Sequence, residues 1–584
     1  MYLKRRDQNN CNRLNTQFEQ PFRNRLVMKK TSNVALGLVL TLLLASVSDT
    51  HSQNPSTQPS PGRPATQAQE ARPVASPTPR AEAVTQSPAP QQTTAKTASS
   101  TTSLAELQSR LIEVLRKPEL SAAVIGLKVA SLETGRVLFE ENANKLLRPA
   151  SNMKLYTVAA ALDRLGPDFR FTTSMYSRSR PDAAGIVHGD LTIYGRGDPS
   201  IAARFNSGDY FKGIDELATR IAAAGVKRVE GDLIGDETWF VGPQYGAGWE
   251  WEDLQWWYGA EISALSVNDN ALDLSVKPGP RVGAPALITT GPPDPLLSIV
   301  NNVVTVPSGT RREVRIHRGL GAHVMEIAGA IPIEDRGYSA SVGISHPGLL
   351  FIYLLRSSLA KRGVVITGRS RNIPASALGN SSAVAPATSL IELAAMQSAP
   401  FSLIAAQTLK PSQNLYTELI LRTLGKVAYE PTGNGSNSIR TSEAAGLEVL
   451  KAFLKRAGVD PASLVLSDGS GLSRNDMITP AATLELLTYM NRHTHADVFR
   501  DALPVGGVDG TLRNRLKGTV AENNVRAKTG SLSSAASLSG YLTSVAGERL
   551  VFSVIVNNYP EGVEPRSLCI DPIVVLLASF AGRS

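Results

Sequence analysis

Cysteine is scarce in this chain. Two occur in 584 residues, Cys11 and Cys569. Cys11 precedes an apolar N-terminal stretch and would be lost on its cleavage, so Cys569 would then stand alone and no disulfide framework would hold the fold. A chain of this length can bury a core large enough to do without one, and the length suggests several domains. Excess positive charge is also scarce once its location is considered. The formal net charge is +9, but eight Lys/Arg against Asp7 and Glu19 in residues 1–30 account for +6, leaving +3 for the rest. That is too little to argue for nucleic acid. Long apolar runs near the N-terminus are lacking as well. Val34 to Ala45 spans about a dozen residues, short of the roughly 20 that a spanning helix needs.

That apolar stretch comes after Lys29-Lys30 and precedes the small residues Ser46-Val47-Ser48. The pattern predicts a secretory signal peptide and hence a periplasmic or cell-envelope location. Met28 would make a conventional start, with residues 1–27 an extended leader. The alternative is an uncleaved signal anchor, the one route to a membrane. The leader is therefore placed at 1–48. Residues 49–103 have nine prolines and no Phe, Tyr, Trp, Leu or Ile. Such a segment cannot bury a core and reads as a disordered Pro/Ser/Thr/Gln-rich linker.

Folding begins at Leu104. Leu104, Leu107, Leu111, Val114 and Leu115 recur at helical spacing. Residues 123–129 and 136–139 read as strands around the turn Glu133-Thr134-Gly135. From 169 to 387 short strands alternate with Gly-rich turns, with one helix-like stretch from Ile214 to Ala224. From Leu390 a helical period is expected through Leu424 and again over Ser442 to Ala457. The chain ends in antiparallel strands at 525–528, 537–543 and 550–556 and a helix over 573–580. The expectation is an α+β domain made of 104–168 and 388–584, an antiparallel sheet with flanking helices, interrupted by mostly β inserted domains at 169–387.

Chemistry is suggested first by Ser151-Asn152-Met153-Lys154. On a helix, residues three apart share one face. A serine hydroxyl becomes a nucleophile when a base takes its proton, and an unprotonated lysine amine can be that base. A serine at a helix start also keeps a free N–H for an oxyanion. Ser358-Leu359-Ala360-Lys361 matches the same spacing, but it lies deep in an apolar helix that ends at Gly363, so Ser358 is expected to be structural. Two more motifs lie downstream: Lys410-Pro411-Ser412-Gln413-Asn414 between helical segments, and Lys528-Thr529-Gly530-Ser531 in a late strand. Ser-x-Asn alone means little, since Ser52, Ser266 and Ser473 each begin one. Lys-Thr-Gly occurs once.

In order and in context, these three motifs resemble those of the serine penicillin-binding proteins and β-lactamases. Ser151 and Ser412 are 261 residues apart, more than a compact β-lactamase allows. Further blocks, 194–200, 263–270, Asp468 to Arg474 and Leu503 to Leu512, are similar to the class C low-molecular-mass penicillin-binding proteins, the serine D-alanyl-D-alanine carboxypeptidase/endopeptidases with an inserted multi-domain segment. The resemblance covers Leu104 to the C-terminus. Gln413 departs from it, since many members carry an acid there.

The resemblance implies a serine β-lactamase/DD-peptidase-like transpeptidase fold and cleavage of peptidoglycan stem peptides or cross-links through an acyl-enzyme at Ser151. It implies Lys154 as general base, with its pKa lowered by burial and by cations such as Lys528. Ser412 would relay the proton and Asn414 orient Lys154 or the substrate amide. Lys528 and Thr529 would hold the terminal carboxylate, and Gly530 would let the backbone lie close to substrate. The N–H groups of Ser151 and Ser531 would form the oxyanion hole. Asp253 and Tyr258 would meet the diamino-acid side chain of the stem peptide and Arg474 its carboxylate. β-Lactams would be inhibitors. No cofactor or metal is expected: His493-Thr494-His495 lacks a third ligand, and Asp198 and Asp236-Glu237 read as turn residues. All five tryptophans, Trp239, Trp249, Trp251, Trp256 and Trp257, fall in one window, as an aromatic core or as a platform at the cleft edge. Two readings compete: a β-lactamase, for which no deacylation base is recognisable, and a non-catalytic wall-binding or penicillin-sensing protein.

Overall fold

The computed structural model describes residues 101–375, 389–429 and 440–584. The leader and the linker up to residue 100 lie outside the described residues. One five-stranded antiparallel sheet carries the site. Its order is Arg526–Leu532, Ala535–Thr543, Arg549–Asn557, Val124–Ser131, Val137–Glu141. Strands from the start and the end of the folded chain thus meet in one sheet, Val124 pairing with Asn557.

The two central C-terminal strands are buried on both faces. Side chains alternate across a strand, so Val551 and Ile555 enter one core while Leu550, Phe552, Val554 and Val556 enter another. The first core holds the helices Met153–Leu165, Asn414–Val427 and Pro480–Asn491; the second holds Leu104–Leu115 and Asp571–Ala578. Met153 to Leu162 is buried on every side, as an apolar helix at the centre of a domain must be. It stops at Gly166, whose φ of +80° a side chain would resist.

Between Leu165 and Phe401 the chain builds a separate β-rich core. A second five-stranded sheet runs Ser370–Ile373, Leu233–Asp236, Leu191–Tyr194, Thr172–Ser177, Ile391–Gln397, with helices Lys212–Ala223 and Pro347–Lys361 contributing to that core. Two three-stranded sheets, Ser298–Val306 with Glu313–Arg318 and Val324–Pro332, and Ala271–Lys277 with Leu287–Gly291 and Tyr338–Gly343, add to it. The fold class is α+β, as expected. One element differs. Residues 391–397 form a strand paired antiparallel with Thr172–Ser177, and the helix starts only at Phe401. A short apolar run has no helical period of its own, and Pro400 separates it from the helix. Ser358 is structural: its hydroxyl donates to the Asp215 carboxylate and accepts from Arg362 at 2.8 Å.

Candidate active site

Ser151 lies in a single 3-10 turn, Ala150–Asn152, that leads into the helix beginning at Met153. Ser151 therefore precedes the α-helix by two residues. Side chains from the sheet fix this turn. Ser537 donates to Pro149 O at 2.7 Å, Asn152 donates to Ser539 Oγ at 2.8 Å, and Asn557 Oδ1 accepts from the Arg148 N–H at 2.7 Å. Ala150 is left-handed, with φ +48°. Such a conformation costs an alanine about 1 kcal/mol or more and persists only where its surroundings impose it. Two glycines leave room for it here. A Cβ on Gly471 would lie 1.9 Å from Ala150 O, and one on Gly530 would lie 2.5 Å from Pro149 O.

Lys154, one turn on, is fully buried. Its Nζ lies 2.9 Å from Ser151 Oγ, 2.5 Å from Asn414 Oδ1 and 2.7 Å from Ser470 O. Burial lowers its pKa to about 7, against the opposing pull of Asp468, Glu418 and Asp476. A neutral amine has two N–H donors and one lone pair. Asn414 Oδ1 and the Ser470 carbonyl can only accept, so they take both donors. The lone pair then faces the Ser151 hydroxyl, the geometry a general base needs. Burial is the main cause, as it is for Lys528, which is pushed well below its usual value by burial and then by the Lys154 charge.

Asn414 opens the helix Asn414–Val427, and its Nδ2 donates to Tyr258 O at 2.8 Å. Ser412 is left-handed at φ +66° and accepts from Lys528 Nζ at 2.8 Å. Lys410 anchors this turn by pairing with Asp509 at 2.6 Å. Gln413 is buried and caps the helix, its Oε1 accepting from the Leu415 N–H at 3.3 Å. That bond needs only an acceptor, while the buried Gln413 Nε2 has no hydrogen-bond partner among the described residues. Thr529 donates to Thr511 Oγ1 at 2.7 Å.

These side chains share one cleft of about 370 Å³, lined among others by Ser151, Ser412, Asn414, Thr529 and Ser531, with Asp253, Tyr258 and Arg474. Arg474 pairs with Asp253 at 3.3 Å and Glu250 at 2.9 Å. A larger cavity of about 820 Å³, lined by Lys128, Glu485 and His493, holds none of the motif residues; the chemistry belongs to the smaller one. Asp468, part of a sequence block but given no role there, organises the far wall. Its carboxylate accepts from the N–H groups of Ser470, Gly471 and Ser473 and from the Trp249 indole at 2.6–3.0 Å. Burial holds the neighbouring Glu418 and Asp476 well above the usual carboxylate range. Only their buried position marks these acids, and no short motif announces them.

The tryptophans divide between the two roles. Trp257 lines the cleft, Trp249 supports Asp468, Trp256 packs on the β-rich core, and Trp251 is 69 % exposed. His493 lies 3.4 Å from Asp163. Asp198 accepts from the Ser200 N–H, as a turn residue does, and Asp236, the last residue of its strand, accepts from the Thr238 N–H. Glu237 is held by Ser263 and Asn372.

A family model described as the D-Ala-D-Ala carboxypeptidase 3 (S13) family matches residues 107–580. A D-alanyl-D-alanine carboxypeptidase of Actinomadura sp. (strain R39) is 35 % identical over 491 residues, covering 82 % of this chain and 86 % of the relative. The D-alanyl-D-alanine carboxypeptidase DacB of Haemophilus influenzae is 23 % identical, covering 75 % and 86 %. The crystal structure of penicillin binding protein 4 (dacB) from Haemophilus influenzae superposes with a TM-score of 0.66 at 21 % identity, over 80 % of this chain and 97 % of that one.

Proposed function

The chain belongs to the D-Ala-D-Ala carboxypeptidase 3 (S13) family, and from that premise we propose how its residues divide the work. The enzyme is a serine-type D-Ala-D-Ala carboxypeptidase/endopeptidase of peptidoglycan. Ser151 attacks the carbonyl of the penultimate D-alanine, and Lys154 takes its proton. Ser412, bonded to Lys528, relays that proton from Lys154 to the departing amine. Lys528 and Thr529 hold the terminal carboxylate, and the N–H groups of Ser151 and Ser531 bind the oxyanion. Water then releases the acyl group. The observation that carries this reading is the fully buried Lys154 Nζ, 2.9 Å from Ser151 Oγ and also in contact with the acceptors Asn414 Oδ1 and Ser470 O.

Asp253, Tyr258 and Arg474 line the same cleft; in this reading they receive the side chain of a diamino acid in the stem peptide. The enzyme acts in the cell envelope, exported by the apolar segment near Val34, cleaved or retained as an anchor. Intact mass after incubation with benzylpenicillin tests the assignment. One stable adduct on the parent, missing from Ser151→Ala, supports it. An adduct on both proteins refutes Ser151 as nucleophile. Penicilloic acid accumulating without adduct points to a β-lactamase, and neither adduct nor turnover points to a binding protein.

A further inference from the structure

Trp257 lines the Ser151 cleft and also a second cavity of about 470 Å³. Its other walls include Arg204, Tyr210, Asp269, Asp273 and Ser341, all from the inserted segment and none with a part in the chemistry above. The wall is strained. Asn268, Asp269 and Asn270 are three consecutive left-handed residues, with φ of 47°, 59° and 49°. Three non-glycine residues in that region persist only where other contacts demand it, and such runs gather at ligand sites. Asn270 supplies two of those contacts, accepting from the Val267 N–H at 2.9 Å and donating to Glu261 O at 2.7 Å.

The polar groups of the cavity are held in place. Arg204 pairs with Asp269 at 2.6 Å, and the Tyr416 hydroxyl donates to the same carboxylate. Asp273 accepts from the Tyr210 and Ser341 hydroxyls. The Arg204 guanidinium is thus matched by a carboxylate, so the site offers an anion little net attraction. What remains is an indole beside fixed carboxylate and hydroxyl groups, a combination suited to a neutral polyhydroxylated ring.

We propose that this cavity, reached past Trp257, is a saccharide subsite that binds the amino-sugar end of the muropeptide. The proposal rests on the peptidoglycan-peptidase reading and extends it. Three residues separate the acylated D-alanine from the sugar in a stem peptide, a span of about 10 Å when extended. The shared wall residue Trp257 makes this cavity the neighbour of the reaction cleft.

The test compares D-alanine release from a disaccharide-pentapeptide and from the same pentapeptide without sugar, using the full chain. The wild type is expected to favour the disaccharide substrate by about tenfold or more in kcat/KM. Asp273→Ala and Arg204→Ala are expected to bring that ratio towards one, mainly by raising KM for the sugar-bearing substrate. Equal kcat/KM for both substrates in the wild type overturns the proposal without recourse to variants. So does a ratio that neither substitution changes. Acylation by benzylpenicillin, which carries no sugar, is run in parallel. If acylation is normal and discrimination is lacking, only the subsite fails; if acylation fails, the underlying peptidase reading fails with it.

Discussion

Acylation should lose rate on the acid side with an apparent pKa of about 7, the value to which burial brings Lys154. An ordinary lysine at 10.5 would be neutral in roughly one molecule in 3,000 at pH 7; at a pKa of 7 half are neutral, a gain of about 10³ in competent base. Relative to the plateau, the second-order rate with benzylpenicillin should be about 90 % at pH 8, about 10 % at pH 6 and about 1 % at pH 5. Lys154→Arg should abolish acylation at every pH, because a guanidinium does not deprotonate. The same shift bears on stability. Folding lowers this pKa, so the buried lysine opposes folding. The cost is fully present below about pH 7, shrinks as pH rises and vanishes above 10.5. A gap of 3.5 units corresponds to about 5 kcal/mol. Stopped-flow acylation from pH 5 to 9 is the assay. A flat profile over pH 5–8, or an apparent pKa at 9 or above, would refute a neutral Lys154 as base.

Three more outcomes rest on the packing around the site. Gly471→Ala puts a methyl group 1.9 Å from Ala150 O at a φ of +76°; it should cost about 2–4 kcal/mol in thermal or urea unfolding and slow acylation at least tenfold. Burial pushes Glu418 well above the usual carboxylate range, while its carboxylate pulls the Lys154 pKa upward and accepts from the Gly469 N–H at 3.0 Å. Glu418→Gln keeps an acceptor and removes that pull, so the acid limb of acylation should move to lower pH; a limb left in place would mean that Glu418 does not bear on Lys154. Arg474→Ala should raise KM for diaminopimelate-containing peptides about tenfold or more and barely alter benzylpenicillin acylation, as parallel assays on the two substrates would show.

Much was legible in the chain by itself. Lys-Thr-Gly occurs once, and its place after Ser-x-x-Lys and Ser-x-Asn names the chemistry, because an acyl-transfer serine needs a base, a proton relay and an anchor in fixed elements. The split α+β domain was legible for a similar reason. Helical spacing at Leu104–Leu115 and the short apolar run at Arg549–Asn557 each record which faces are buried. The strand at Ile391–Gln397 was not, because its pairing with Thr172–Ser177 is a contact between residues more than 200 positions apart. Tertiary structure also decided the pKa of Lys154. A sequence shows a lysine beside a serine; only the folded core buries it, and only the distant Asn414 and Ser470 bring it acceptors. The left-handed turn at Ala150 has the same origin. No local preference places alanine there, and Gly471 and Gly530, from two other parts of the chain, leave the room in which that turn packs.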